Sequence, residues 1–165
     1  MEEELIKIRI MLPETDWHNC VSETLWTKPV DNNQYELRNS PLFADDLSYG
    51  DIVYAENRRW KWFSCFKFVT GRSGHSTYRV VLEEKSTLKD FEDYIKPLNE
   101  IGCSTEGFHE RQFAVDVPNT TNIFEAFNLL QKGEEYGVWF FSSAHIGHIV
   151  DDCWSITSPH SPSTP

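Results

Sequence analysis

A chain of 165 residues with 39% hydrophobic and 25% charged side chains can bury one substantial core or two small packed lobes, and its balance is globular, not disordered. Six Trp, six Tyr and eleven Phe supply material for that core. A net charge of −11 argues against general nucleic-acid binding, which needs a positive surface against dense phosphate.

No apolar run approaches the ~20 residues that span a bilayer, and the acidic start Met1-Glu2-Glu3-Glu4 is the opposite of a signal peptide's basic leader. A cytoplasmic protein without a membrane partner is expected. Cys20, Cys65, Cys103 and Cys153 are widely spaced, which reads as reduced, mostly buried thiols. The charge is uneven: residues 1–84 hold 10 basic and 14 acidic groups, residues 85–165 hold 5 and 12. The second half is therefore the candidate for meeting a basic partner through electrostatic steering. Plain solubility is the competing account of the same charge.

Along the chain, Ile6, Ile8, Ile10 and Leu12 alternate with Lys7, Arg9 and Met11, a strand covered on one side. Pro13 to Cys20 reads as a loop. Strands follow at Glu23–Lys28 and Gln34–Arg38, joined by the turn-rich Pro29-Val30-Asp31-Asn32-Asn33. A strand at Asp51–Ala55 leads through a hairpin turn at 56–59 into Trp60–Thr70. On that strand Trp60, Trp62, Phe66 and Phe68 are expected on one face and Lys61 and Lys67 on the other. Gly71 to Gly74 turns again, and Ser76–Leu82 returns with Tyr78, Val80 and Leu82 inward. Short strands with tight turns suggest a small antiparallel sheet or barrel.

The pattern then becomes helical. Ser86 or Thr87 caps a helix whose apolar residues are Leu88, Phe91, Ile95, Leu98 and Ile101, with Gly102 as its stop. Pro97 is expected to kink this helix or end its first part near Lys96. A strand from about Cys103 to Gly107 pairs with one at Phe113–Val117. Asn122-Ile123-Phe124-Glu125 opens a second helix with Ile123, Phe127 and Leu130 inward and Gly133 as terminator; Val138–Ser142 is a final strand. The fold class is α+β: an N-terminal β-lobe over 1–74, then a ferredoxin-like β-α-β-β-α-β lobe over 75–150. The Ser/Thr/Pro-rich 155–165 reads as a frayed tail.

Several motifs in order carry a resemblance. Trp26 follows Glu23; Leu37 to Ala44 includes Asn39-Ser40-Pro41-Leu42-Phe43-Ala44; then come Gly50 to Val53 and Ser73 to Arg79. Across roughly residues 20–140 the chain resembles the bacterial family called domain of unknown function 4265, with Leu42 where that pattern has an aromatic. Leu98 to Cys103 and Ala114 to Pro118 look like the family's later helix end and strand. The resemblance implies no activity. Bacterial proteins of this size and acidity often serve as immunity proteins for secreted toxins, an analogy of context.

Candidate chemistry is sparse. His75 and Ser76 are adjacent and point to opposite faces of a strand, so they make no dyad; a glycine-mediated turn closed by local hydrogen bonds is preferred. His145 and His148, with Asp151, Asp152 and Cys153 nearby, have metal-ligand types without the H-E-x-x-H context, and surface roles are preferred. Cys103, His109 and Asp116 can be imagined as a set, with a structural thiol the better reading. Arg58, Arg59, Lys61, Lys67, Arg72 and Arg79 form a basic island containing Trp60 and Trp62.

The leading expectation is a non-enzymatic acidic binding protein, an immunity protein neutralising a basic toxin, with no cofactor and no metal. Its partner-binding residues would be Glu106, Glu110, Glu134, Glu135, Asp151 and Asp152. The alternative is a small-molecule or nucleotide-binding regulatory module using Arg72, Ser73, His75, Arg79, Trp60 and Trp62. A weak hydrolase at His75 or His145 is the third.

Overall fold

The computed structural model describes residues 4–15, 17–57 and 64–150. Trp60, Trp62, Asp151, Asp152, Cys153 and the expected tail lie outside the described residues. Among the described residues the first lobe comprises β1 (Ile6–Met11), β2 (Ser22–Asp31), β3 (Gln34–Leu37), β4 (Ile52–Asn57) and β5 (Ser64–Gly71), closed into a barrel in that order. The second contains β6 (Ser76–Leu82), α1 (Leu88–Glu100), β7 (Ser104–His109), β8 (Gln112–Val117), α2 (Ile123–Glu135) and β9 (Trp139–His145). The α+β class with a barrel is what the alternation and turn residues predict.

Not every pair in the barrel is antiparallel. Ile8 and Arg9 of β1 pair in parallel with Ser64 and Cys65 of β5. An up-and-down run with an odd number of strands leaves its first and last strands pointing the same way, so closure must join them in parallel. Ile8, Ile10, Leu25, Leu37, Val53 and Ala55 fill the interior, with Ala44 and Leu47 beside them. The shared face expected for Phe66 and Phe68 is corrected. Tyr54 pairs with Phe68 and Ala55 with Phe66, so Lys67 is an extra residue in the ladder. This bulge shifts the side-chain alternation: Phe66 packs against the core, while Phe68 faces out, stacked on Tyr54 at 5.0 Å.

In the second lobe the strand order is β7-β8-β6-β9, with every neighbouring pair antiparallel. Both helices cover one face, burying Phe91, Ile95 and Leu98 of α1 and Ile123, Ala126 and Leu130 of α2 against Tyr78, Val80 and Leu82. Thr87 and Asp90 form a reciprocal capping box at the start of α1, satisfying amides that have no helical partner.

Pro97 does not end α1 near Lys96, and the helix continues to Glu100. The proline removes one donor only, and its own carbonyl still accepts from Ile101 N–H at 3.3 Å. Gly133 is not the terminator of α2, which runs on to Glu135 with Tyr136 as C-cap. Gly133 instead makes room: a Cβ there would lie 2.2 Å from the indole of Trp139. Trp139 is fully buried and donates its Nε1–H to Leu130 O at 2.9 Å. The same packing leaves Phe127 only partly buried, with Ala126 inside.

Cys20, Cys65 and Cys103 are free thiols. Among the described residues no helix is long and apolar enough to cross a membrane.

Candidate functional site

The seam between the lobes gathers most of the sequence motifs. Strand β6 is buried on both faces: helices cover one, and the barrel's 42–48 segment covers the other. That segment is clamped from two sides. The Glu23 carboxylate, from β2, accepts the N–H groups of Leu42 at 2.7 Å, Phe43 at 3.0 Å and Ala44 at 2.8 Å. Arg79, from β6, donates to the carbonyls of Leu42, Phe43 (3.1 Å) and Ala44 (3.0 Å) and to Asp45 Oδ1 at 2.7 Å. An irregular buried segment must satisfy its peptide groups without a ladder partner. Here a carboxylate supplies the acceptors and a guanidinium the donors.

Asp51 serves the next turn. Fully buried, it accepts from Ser48 N, Ser73 N, Ser73 Oγ and Arg72 Nη1 at 2.9 to 3.1 Å. Arg72 also reaches Asp46 through its backbone O and Oδ2. Asp46 in turn meets His145 Nδ1 at 2.9 Å, tying the end of β9 to the barrel. Arg72 and Arg79 are thus occupied by the protein's own carboxylates and carbonyls, and an incoming phosphate would have to displace them.

The histidines separate. His75 Nδ1 donates to Asp116 at 2.9 and 3.0 Å. Burial holds the Asp116 carboxyl above the usual range, and the contact with His75 works against that rise. His148 Nε2 faces the carbonyls of Pro118 and Thr121 at 3.0 and 3.1 Å, so it carries a proton. Its Nδ1 lies 2.7 Å from Ser76 Oγ, which takes the Gly147 and His148 amides and donates its own hydrogen to the ring. Ser76 is fully buried, and this pair fastens a loop. Gly147 permits it, since a Cβ there would stand 2.2 Å from His75 O.

His145 and His148 therefore face different partners, and among the described residues no group of three His, Cys, Asp or Glu could hold a metal ion. Cys103 precedes Ser104, which pairs with Asp116, whereas His109 lies at the opposite end of β7 beside Gln112, roughly 16 Å away at strand rise. That set is not assembled. Burial, reinforced by the charge of Asp116, pushes the Cys103 thiol up to about 12, an inert structural thiol.

The expected partner-binding acids fall in two places. Glu110 sits in the β7–β8 turn, and Glu134 and Glu135 close α2. All three are exposed and share one end of the sheet with Glu83 and Glu84, because Leu82 pairs with Trp139 and donates its N–H to the Arg111 carbonyl at 2.9 Å. Lys85, Arg111 and Lys132 belong to the same end. Glu106 lies elsewhere, opposite Ala114 on β7, and lines a cleft of about 310 Å³ between the lobes with Cys20, Glu23, Asn39, Ser40, Phe43 and Phe108. Its carboxylate accepts Ser40 N–H at 2.8 Å, and burial holds it above the usual carboxylate range. Phe108 meets Phe43 edge-on at 4.9 Å, and Trp17 backs Phe43 at 5.4 Å.

Glu23, Phe43 and Phe108 are site residues that sequence reasoning missed. For Glu23 a signal existed: it shares the inward phase of Leu25 and Thr27, where a charge demands buried partners.

A model of the family described as Domain of unknown function (DUF4265) matches residues 23–141. The chain belongs to this family. Its match begins at the clamping Glu23 and includes Arg79, so the family's span contains the seam. The chain is also similar to a solved structure described as a novel crystal structure of a hypothetical protein from Neisseria gonorrhoeae. The two are 19% identical, with a TM-score of 0.74, over 90% of this chain and 100% of that one. This likeness concerns the fold alone. No curated protein matches.

Proposed function

We propose that this DUF4265 protein is a non-enzymatic binder of a basic protein partner, acting in the bacterial cytoplasm as an immunity protein that neutralises a basic toxin. The observation that carries the reading is the gathering of Glu84, Glu110, Glu134 and Glu135, all exposed, on two turns and the C-terminal end of α2 at one end of the second sheet, where they outnumber Lys85, Arg111 and Lys132. Charges presented on turns at a common end steer a cationic surface and set its orientation. The finer fold belongs with it: the lobe is of the ferredoxin-like kind, a reading supported by the β7-β8-β6-β9 order and by a helix after β6 and after β8.

The test is capture of a basic protein from a lysate of the source cells on immobilised protein. Retention at low salt, lost both at high ionic strength and in a Glu110→Lys, Glu134→Lys, Glu135→Lys variant, is the expected result. Retention that survives both changes sinks the proposal.

A further inference from the structure

The interlobe cleft joins features that point to one ligand chemistry. Two carboxylates, Glu23 and Glu106, line it, and among the described residues neither has an ion-pair partner. Glu23 is 9% exposed, with its oxygens held by three amides. Glu106 accepts one backbone amide, from Ser40, and the Ser40 and Asn39 side chains stand close enough to favour its ionised form. The Ser40 hydroxyl, in a residue only 4% exposed, sits beside that carboxylate without the geometry of a hydrogen bond to any group. A buried hydroxyl left this way is rare in native proteins unless another partner arrives. Phe43 and Phe108 complete the lining with aromatic carbon, Phe108 half exposed at the rim.

Desolvated negative charge beside aromatic rings favours an organic cation, which gains from the carboxylate and from ring faces alike. A hard metal ion would instead require several free oxygens, and the Glu23 oxygens are taken. We propose that this cleft receives the guanidinium or primary ammonium of a basic side chain, held by the Glu106 carboxylate and the Ser40 hydroxyl against Phe43 and Phe108. The source of the cation, a basic partner chain, rests on the function proposed above; the chemistry of the cleft does not.

The experiment is an NMR titration of the full chain with N-acetyl-arginine amide, with the neutral citrulline analogue, and with an arginine-rich peptide. Saturable shifts are expected at the Ser40, Glu106, Gly107 and Phe108 amides with arginine and none with citrulline. Glu106→Gln, which keeps an oxygen for the Ser40 N–H, should weaken binding at least ~10-fold while preserving the spectrum. Phe108→Ala, at a half-exposed rim position, should weaken it while amide shifts away from the cleft stay unchanged. Absent shifts, unsaturable shifts over the whole acidic surface, or equal shifts with citrulline overturn the proposal. Peptide binding no tighter per arginine than the free derivative overturns the partner chain as source and assigns the cation to a small molecule. The Glu110, Glu134, Glu135 reversal leaves this titration unchanged, so a failed partner capture with an intact cleft titration counts against the proposed function alone.

Discussion

Replacing Glu23 by Gln tests whether the seam is held by its two-sided clamp. The carboxylate takes three amides, one on Oε1 and two on Oε2. A carboxamide offers one oxygen and one NH2 group, so at least one backbone N–H loses its acceptor and meets a donor. Each buried donor left without a partner costs ~1–3 kcal/mol; the orphaned backbone N–H and the glutamine NH2 facing it are two such donors, so the loss is ~3 kcal/mol. That is a large share of the ~5–15 kcal/mol that stabilises a domain. With a urea slope of ~1–3 kcal/mol/M, the unfolding midpoint should fall by ~1 M or more. Arg79→Met should act through the same three peptide groups from their carbonyl side. The double variant should therefore lose less than the sum of the single losses, by at least ~0.5 kcal/mol. A Glu23→Gln protein within ~0.5 kcal/mol of the parent, or strict additivity with Arg79→Met, would refute the clamp.

Two further outcomes follow from the second core. Gly133→Ala places a methyl 2.2 Å from the buried Trp139 ring, and overpacking of ~1–3 kcal/mol should exceed the ~1 kcal/mol gained in helix propensity; a variant more stable than the parent in urea refutes the close-packing role. Burial pushes the Cys103 thiol from 9.0 to about 12 and the Tyr78 phenol from 10.0 to about 12. Both groups are held neutral in the fold, so their contribution is complete below pH 9.0 and is lost as the unfolded chain ionises first between pH 9.0 and about 12. Urea midpoints should fall over that window, less steeply in Cys103→Ala, and identical slopes in the two proteins contradict it.

The sequence by itself determined the local elements. Alternation marks β1, β2 and β6, Thr87 and Asn122 mark the helix starts, and these signals are legible because capping and strand burial depend on residues a few positions apart. Acidity likewise marks the second half as the charged one. What only the tertiary structure decided depends on groups distant in sequence. The parallel closure of β1 on β5 follows from strand count, and the bulge at Lys67 reverses Phe68 through pairing with Tyr54. Gly133 reads as a helix stop until Trp139, six positions later, is seen to occupy the space of its missing side chain. Ser73, His75, Arg72 and Arg79 look like a site in the sequence because reactive residue types stand close together. In the fold each is bound to Asp51, Asp116, Asp46 or the 42–44 backbone, and the cleft lies instead where β2 and β7 meet, a juxtaposition of residues more than eighty positions apart, such as Glu23 and Glu106.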